Sequence, residues 1–257
     1  MDPYINLVCA DCLDYLKEMQ PGQVSIVVTS PPYNLGTKYK TYSDKLPRLE
    51  YLAFLKTVFA ELSRVMRPDG QFFLNVGFSN KDPWVAMDVA MTAREFFVLQ
   101  NQICWVKSLT IEESYGHFKP INSKRYLNNC FENLFHFTKS GNVEVDRLAI
   151  GVPYKDKSNC KRWKKASSDI RCRGNVWYIP YSTIQRTAEK GHHPAIFPEV
   201  LVEYCLKLAG ADTDTLVLDP FSGVGTTLAV CQRLGVPALG IEMDPGYVTY
   251  AKQSLDL

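Results

Sequence analysis

One stretch near the carboxyl end constrains the fold more than any other: Thr215-Leu216-Val217-Leu218-Asp219-Pro220-Phe221-Ser222-Gly223-Val224-Gly225-Thr226-Thr227. An apolar run ends in an acid, as a buried parallel strand does at its carboxyl end. A Gly-x-Gly turn follows and feeds a helix from Thr226 to Leu234. The next strand, Ala238 to Ile241, ends at Glu242. Glycines let the backbone come close to a ligand, and a helix N-terminus offers free N–H groups to an anion. Glu242 lies 19 residues after Gly223. A nucleoside-binding fold puts there the carboxylate that grips both ribose hydroxyls. The third glycine of the dinucleotide fingerprint is missing, and threonine takes up the space near it.

A second stretch points to the same kind of sheet edge. Val24, Ile26, Val27 and Val28 suit a central parallel strand. Pro31 and Pro32 cannot donate ladder hydrogen bonds, so the strand ends before them. The residue before a proline is held extended, which stiffens the chain there. The Ser30 hydroxyl, the carbonyls of Ser30 and Pro31 and the ring of Tyr33 would then project from the strand's carboxyl end, where open α/β sheets bind ligands. Alone, these residues also read as a strand followed by a proline turn.

The rest of the chain alternates strand and helix. Asn6 to Asp11 reads as a short strand and Asp14 to Met19 as a helix closed by Pro21-Gly22. Asn34 to Arg48 is polar and aperiodic and reads as a mobile loop, of the length that enzymes use as lids. Leu52, Leu55, Phe59, Leu62 and Val65 repeat at helical spacing within Leu49 to Met66. Arg67-Pro68-Asp69-Gly70 should stop that helix before a strand over Gln71 to Val76. A helix over Trp84 to Phe96, a strand over Ile103 to Lys107 and an alternating strand over Phe131 to Thr138 follow. Pro198 to Leu208 is a helix with proline in its first turn. The alternation predicts an α/β class with a doubly wound, mostly parallel sheet and helices on its faces.

Val143 to Arg186 breaks this rhythm and reads as an insertion. It holds Lys155, Lys157, Lys161, Arg162, Lys164, Lys165, Arg171 and Arg173 against only Asp156 and Asp169 between Lys155 and Arg173. The whole chain carries a formal charge of only +2, so the remaining residues are net acidic. Such a run is often a solvated face, but charge concentrated in one place attracts phosphate backbones. The eight cysteines are scattered. Cys9-x-x-Cys12 is their one close pair, with no second pair or histidines at ligand spacing, so no metal site is expected. No apolar run reaches the length of a membrane span, and Met1-Asp2-Pro3-Tyr4 opens without a basic signal region. The expectation is therefore a cytoplasmic protein with no membrane partner.

The two edge segments together resemble the DNA amino-methyltransferases, which move a methyl group from S-adenosylmethionine to an exocyclic base nitrogen. Thr29-Ser30-Pro31-Pro32-Tyr33 resembles their catalytic motif, and Asp219-Pro220-Phe221-Ser222-Gly223-Val224-Gly225-Thr226-Thr227 their cofactor loop. His193-Pro194-Ala195-Ile196-Phe197-Pro198 is similar to the element that closes over the cofactor's methionine end. Catalytic motif first, basic insert next and cofactor loop last is the permuted β-class order. The resemblance covers nearly all of the chain except Asn34 to Arg48 and Val143 to Arg186.

The resemblance implies a Rossmann-like methyltransferase domain over 1–142 and 187–257, with an inserted target-recognition region over 143–186. It implies Ser30, Pro31, Pro32 and Tyr33 as catalytic residues. The Ser30 hydroxyl and Pro31 carbonyl would draw the amine's lone pair back onto nitrogen, and Tyr33 would stack on a flipped base. For S-adenosylmethionine it implies Glu242 on the ribose, and Asp219, Gly223, Gly225 and Thr227 around the methionine portion. Phe221 and Phe197 would serve as walls, and His193 would hold its loop. Asp11 resembles the acid that accepts from the adenine amine, a reading that competes with, and is preferred over, a role as the N-cap of the helix that follows. Lys155, Lys161, Arg162, Lys164 and Lys165 would meet DNA phosphates, and Arg171, Arg173 and Gln185 would read bases. No covalent intermediate, and hence no cysteine nucleophile, is implied.

In this family serine before Pro-Pro-Tyr usually accompanies cytosine N4, and aspartate or asparagine accompanies adenine N6. Ser30 therefore implies a site-specific cytosine-N4 methyltransferase, with adenine N6 as the alternative. The implied partner is double-stranded DNA. A homodimer and a cognate restriction endonuclease acting on the same site are compatible with the resemblance. An RNA methyltransferase and a non-catalytic DNA-binding module are further readings. A protein-glutamine methyltransferase would reverse the order of the two motifs, and a nicotinamide oxidoreductase would leave Ser-Pro-Pro-Tyr unexplained.

Overall fold

In the computed structural model, residues 4–37, 43–107, 123–157, 169–180 and 197–257 are described. Five parallel strands form one half of an eight-stranded sheet. They are β1 (Ile5–Cys9), β2 (Val24–Thr29), β3 (Met66–Val76), β9 (Val217–Asp219) and β10 (Ala238–Glu242). The other half is β4 (Val98–Val106), β5 (Phe131–Thr138) and β8 (Val176–Tyr178). The order is β1-β10-β9-β2-β3-β5-β4-β8, and β5 alone runs against its neighbours. The doubly wound, mostly parallel sheet read from the sequence is therefore present.

Alternate residues of each central strand feed opposite faces, as the strand period of two requires. Val27, Phe72 and Leu74 pack with α1 (Cys12–Glu18), α2 (Arg48–Val65) and α3 (Val85–Ala93). Ile26, Val28 and Phe73 pack on the other face with α4 (Glu199–Ala209), α5 (Thr226–Leu234) and α6 (Pro245–Leu255). Both cores hold fully buried aromatic and aliphatic side chains. No helix among the described residues is long and apolar enough to cross a membrane.

Several boundaries differ from the sequence reading for local reasons. The turn expected at Arg67 to Gly70 is a bulge inside β3: Met66 faces Val24 and Gln71 faces Ile26, and the exposed residues between them loop out of the ladder. β4 starts at Val98 rather than Ile103. Gln100 and Asn101 disguise it, but their side chains are used by Thr138, Val143 and His136. α3 ends at Ala93, after which single turns close on Ala93 and Ala90. Pro198 is the cap of α4 rather than its first residue. The described ends of the 34–48 loop are fastened. Buried Asp44 accepts from the backbone N–H groups of Asn34, Leu35 and Thr37, and the Asn34 amide pairs both ways with the Leu46 backbone.

Within 143–186, β6 (Val152–Pro153) and β7 (Ile170–Arg171) form a small antiparallel ribbon. β8, from the same stretch, is the edge strand of the main sheet. Trp177 on β8 is fully buried, and the Trp105 indole donates to the Ile179 carbonyl at 2.9 Å.

Candidate active site

The carboxyl ends of β1, β10, β9, β2 and β3 lie along one sheet edge because the five strands are parallel. Asp219 closes β9 there and is buried. Its Oδ1 accepts from the Thr29 hydroxyl (2.6 Å) and the Phe221 N–H (3.1 Å), and its Oδ2 from the Thr227 hydroxyl (2.7 Å). Burial raises its carboxyl above the ordinary range, and these three donors oppose the shift. Asp219 thus fastens β2, the loop after β9 and the first turn of α5 together.

The Gly-x-Gly turn is shaped by the same frame. Gly223 and Gly225 both have positive φ, at 54° and 83°. At Gly225 a side chain would also crowd Ala251 and Leu255, each 3.2 Å from an added Cβ. The Gly223 N–H donates to Glu242 Oε2 at 2.9 Å, and the Asp244 N–H to Oε1 at 2.7 Å. Each Glu242 oxygen keeps one lone pair, a spacing suited to two adjacent hydroxyls. Desolvation raises the Glu242 carboxyl, against the pull of those two N–H groups.

Asp11 is the N-cap of α1: its Oδ1 accepts from Leu13 N at 2.8 Å and Asp14 N at 3.3 Å. It also lines a cleft of about 1130 Å³, open mouth included, with Glu242, Gly223, Phe221, Phe197 and Ser30. Asp11 is thus a helix cap that also lines the cleft. Phe221 meets Phe54 edge-on at 6.2 Å, so the cleft has an aromatic wall. Cys12 also lines it, but burial and the neighbouring Asp11 charge push its thiol up to about 12, so it stays protonated.

Ser30, Pro31, Pro32 and Tyr33 line the adjoining part of the cleft. The Tyr51 hydroxyl donates to the Pro32 carbonyl at 2.8 Å and fixes the turn from α2. The Tyr33 hydroxyl is bonded to Ser30 Oγ, Asn75 and Glu132, and Glu132 pairs with Lys107. A Cβ on Gly77 would lie 2.7 Å from the Tyr33 ring and 3.1 Å from the Glu132 carboxyl carbon, so glycine there admits their contact.

The structure thus brings Ser30, Pro31, Pro32, Tyr33, Asp11, Phe221, Gly223, Glu242 and Phe197 to one cleft. Asp219, Gly225 and Thr227 stand behind it and hold its loop. His193, Lys161, Arg162, Lys164, Lys165 and Gln185 lie outside the described residues. Lys155 and Arg171 are exposed. Arg173 is drawn into the fold, with its guanidinium 4.5 Å from the Tyr204 ring centre and its Nε donating to the Ile150 carbonyl. Lys157 pairs with Asp169. Sequence reasoning placed Thr29 in the motif without a role, and missed Tyr51, Asn75, Lys107 and Glu132. Lys107, just after β4, and Glu132, near the start of β5, are single charges beside strands, and nothing in the sequence pairs them.

Residues 24–253 match the family profile described as DNA methylase, of N6/N4 type. Type II methyltransferase M.HpaI of Haemophilus parainfluenzae is 28% identical over 258 residues, covering 98% of this chain and 74% of that protein. The solved PvuII DNA methyltransferase, cytosine-N4-specific by its description, superposes with a TM-score of 0.74 at 21% identity over 97% of this chain and 87% of that one. The M1.HpyAVI–S-adenosylmethionine complex superposes at 0.59 with 22% identity, over 98% of this chain and 100% of the other.

Proposed function

The chain belongs to the N6/N4 family of DNA methylases, and we propose that within it this protein methylates the exocyclic N4 of a flipped cytosine in double-stranded DNA. The observation that carries the reading is the Ser30-Pro31-Pro32 turn, fixed by Tyr51 at the same cleft as the Glu242 carboxylate.

The cleft suits S-adenosylmethionine, the compound with which the solved M1.HpyAVI, similar to this chain in fold, forms a complex. The free lone pairs of Glu242 suit the ribose diol, Phe221 and Phe54 offer an apolar slot for adenine, and Asp11 Oδ2 would accept from the adenine amine. Bound there, S-adenosylmethionine supplies an electrophilic methyl group on a sulfonium.

The chain's own groups then act on the base. An exocyclic amine is a poor nucleophile because its lone pair is delocalised into the ring. The Ser30 hydroxyl oxygen and the Pro31 carbonyl accept its two N–H groups and localise that lone pair on nitrogen. They also face positive charge as it develops there, so their effect is largest in the transition state. The prolines hold both acceptors in place, so little reorganisation is needed. Inside a duplex the amine is out of reach, hence the flipped base, with the Tyr33 ring as its platform.

Serine before Pro-Pro-Tyr favours cytosine N4. Lys155, with the basic residues of 161–165, is a proposed phosphate contact, and exposed Arg171 a proposed base reader. A homodimer and a restriction endonuclease sharing the site remain compatible companions. Incubation with methyl-labelled S-adenosylmethionine and either duplex DNA or RNA, followed by digestion to nucleosides, tests the proposal. Label in N4-methyldeoxycytidine is the expected result. Label in N6-methyldeoxyadenosine overturns the choice of base, and label in RNA alone overturns the choice of substrate.

A further inference from the structure

Beside the cleft, five side chains form one hydrogen-bonded chain whose protons can be counted. Ser30 Oγ lies 2.7 Å from Tyr33 Oη, and Tyr33 Oη lies 3.0 Å from Glu132 Oε2. Asn75 Nδ2 donates to Tyr33 Oη at 2.7 Å and to Glu132 Oε2 at 2.8 Å. Lys107 Nζ donates to Glu132 Oε1 at 2.8 Å.

As a carboxylate, Glu132 has only acceptors, and the Asn75 NH2 has only two donors, both spent here. Turning the amide round would set Asn75 Oδ1 against Glu132 Oε2, acceptor on acceptor. Tyr33 has one proton. Burial, and then the Glu132 charge, hold its phenol well above the ordinary value, so that proton stays on and points to Glu132. The Tyr33 oxygen then has two lone pairs to fill. Asn75 fills one. Ser30 faces the other at 2.7 Å, beside the Gly77 N–H, and with the Tyr33 hydrogen turned to Glu132 that contact is satisfied by Ser30 donating its own hydrogen.

We infer that Glu132 and Asn75 are positioning residues that lock Ser30 as an acceptor toward the cleft, so that the pocket selects a base bearing an amino group over one bearing a carbonyl at the reacting position. The inference rests on the reading of this cleft as a base-amine site and extends it to substrate choice. A free serine hydroxyl rotates and serves a donor or an acceptor equally. Here the hydroxyl hydrogen is committed to Tyr33, so only lone pairs remain for the base. Cytosine presents N–H groups to them. Uracil, with oxygen in place of that amine, would set acceptor against acceptor in a buried site, which is costly because neither group is satisfied. The space that Gly77 leaves for the Tyr33–Glu132 contact is consistent with this role.

The test measures binding without methyl donor. Duplexes carry the protein's methylation site with cytosine or uracil at the target, each opposite an abasic position so that extrusion costs are alike. The wild type should bind the cytosine duplex about tenfold or more tightly than the uracil duplex, the ratio that corresponds to about 1.4 kcal/mol. Tyr33→Phe, which keeps the ring but frees Ser30, should bring the ratio close to one. Glu132→Ala should do the same, provided its melting temperature and S-adenosylmethionine binding show that it folds. If it does not fold, Tyr33→Phe decides the matter alone. Should the methylated base prove to be adenine, hypoxanthine replaces uracil in the same comparison. A wild-type ratio near one, or an unchanged ratio in Tyr33→Phe, overturns the inference while wild-type methyl transfer to DNA still stands. Absence of methyl transfer to any base amine overturns the reading of the site, and this inference with it.

Discussion

Thr29 and Asp219 stand 190 positions apart in the sequence, and the Thr29 hydroxyl donates to Asp219 Oδ1 at 2.6 Å. The bond joins the last residue of β2 to the last residue of β9. The Ser-Pro-Pro-Tyr turn begins one residue after the first, and the loop leading to Gly223 one residue after the second. The Ser-Pro-Pro-Tyr side and the glycine-turn side of the cleft are therefore set against each other through one buried carboxylate.

Thr29→Val keeps the shape and removes the donor. Asp219 Oδ1 then retains only the Phe221 N–H inside a buried site. The expected loss is about 1–3 kcal/mol of folding stability, the scale of a buried charged acceptor deprived of a partner. Urea unfolding measures it. A change under about 0.5 kcal/mol, the scale of ordinary surface substitutions, contradicts the fastening role of this bond.

Glu242→Gln places an amide where two backbone N–H groups need acceptors and where a ribose diol would donate. S-adenosylmethionine affinity should fall about 10- to 100-fold, in keeping with the loss of a charged hydrogen-bond acceptor. Affinity for duplex DNA should be unchanged. Calorimetric titration with each ligand separates the two, and equal weakening of both would point to a folding defect instead.

His136 predicts a pH dependence of stability. It stacks on Phe73 at 4.4 Å between Gln71 and Asn101, and burial lowers its pKa from 6.5 to about 4. Below pH 6.5 the unfolded chain takes up a proton that the folded chain refuses until about pH 4. Stability is thus fully present above 6.5 and is lost as the pH falls through that window, by up to about 3 kcal/mol. Denaturant unfolding at pH 7 and pH 4.5 should show the loss, with a shallower pH slope in His136→Gln. Parallel slopes would show that His136 is not responsible.

Reversal of the charges at Lys161, Arg162, Lys164 and Lys165 to glutamate should abolish duplex binding and leave S-adenosylmethionine binding intact. In the wild type, affinity for DNA should fall steeply with salt, as counterion release requires. Unchanged DNA affinity in the four-charge variant would remove this segment from the DNA-binding surface.

Much of the site could be read from single stretches. Gly223, Gly225 and Glu242 belong to one short strand–turn–helix–strand unit, and their chemistry is local. Ser30 and the two prolines are likewise one turn. Asn75, Lys107 and Glu132 were illegible because they meet only through the strand order β3-β5-β4, in which Glu132 sits at the start of the antiparallel strand between the other two. No spacing in the sequence announces that order. Asp219 looked like a cofactor ligand because it ends a strand beside the glycine turn. Its burial and its three internal donors also show why the turn keeps its shape. Arg173 looked like a base reader by charge alone, yet an arginine can stack on a ring and cap a carbonyl, and here Tyr204 and Ile150 hold it.

The central claim is that Ser30 presents an acceptor to the N4 amine of cytosine. It is tested most directly by sequencing DNA from cells that express the wild type or Ser30→Ala, with a method that tells N4-methylcytosine from N6-methyladenine. The wild type should mark cytosine N4 within one recurring sequence. Ser30→Ala should bind S-adenosylmethionine normally and mark that sequence about 100-fold more slowly, the scale of losing one preorganised hydrogen-bond partner in the transition state. N6-methyladenine in the wild type, or undiminished cytosine methylation by Ser30→Ala, would contradict it.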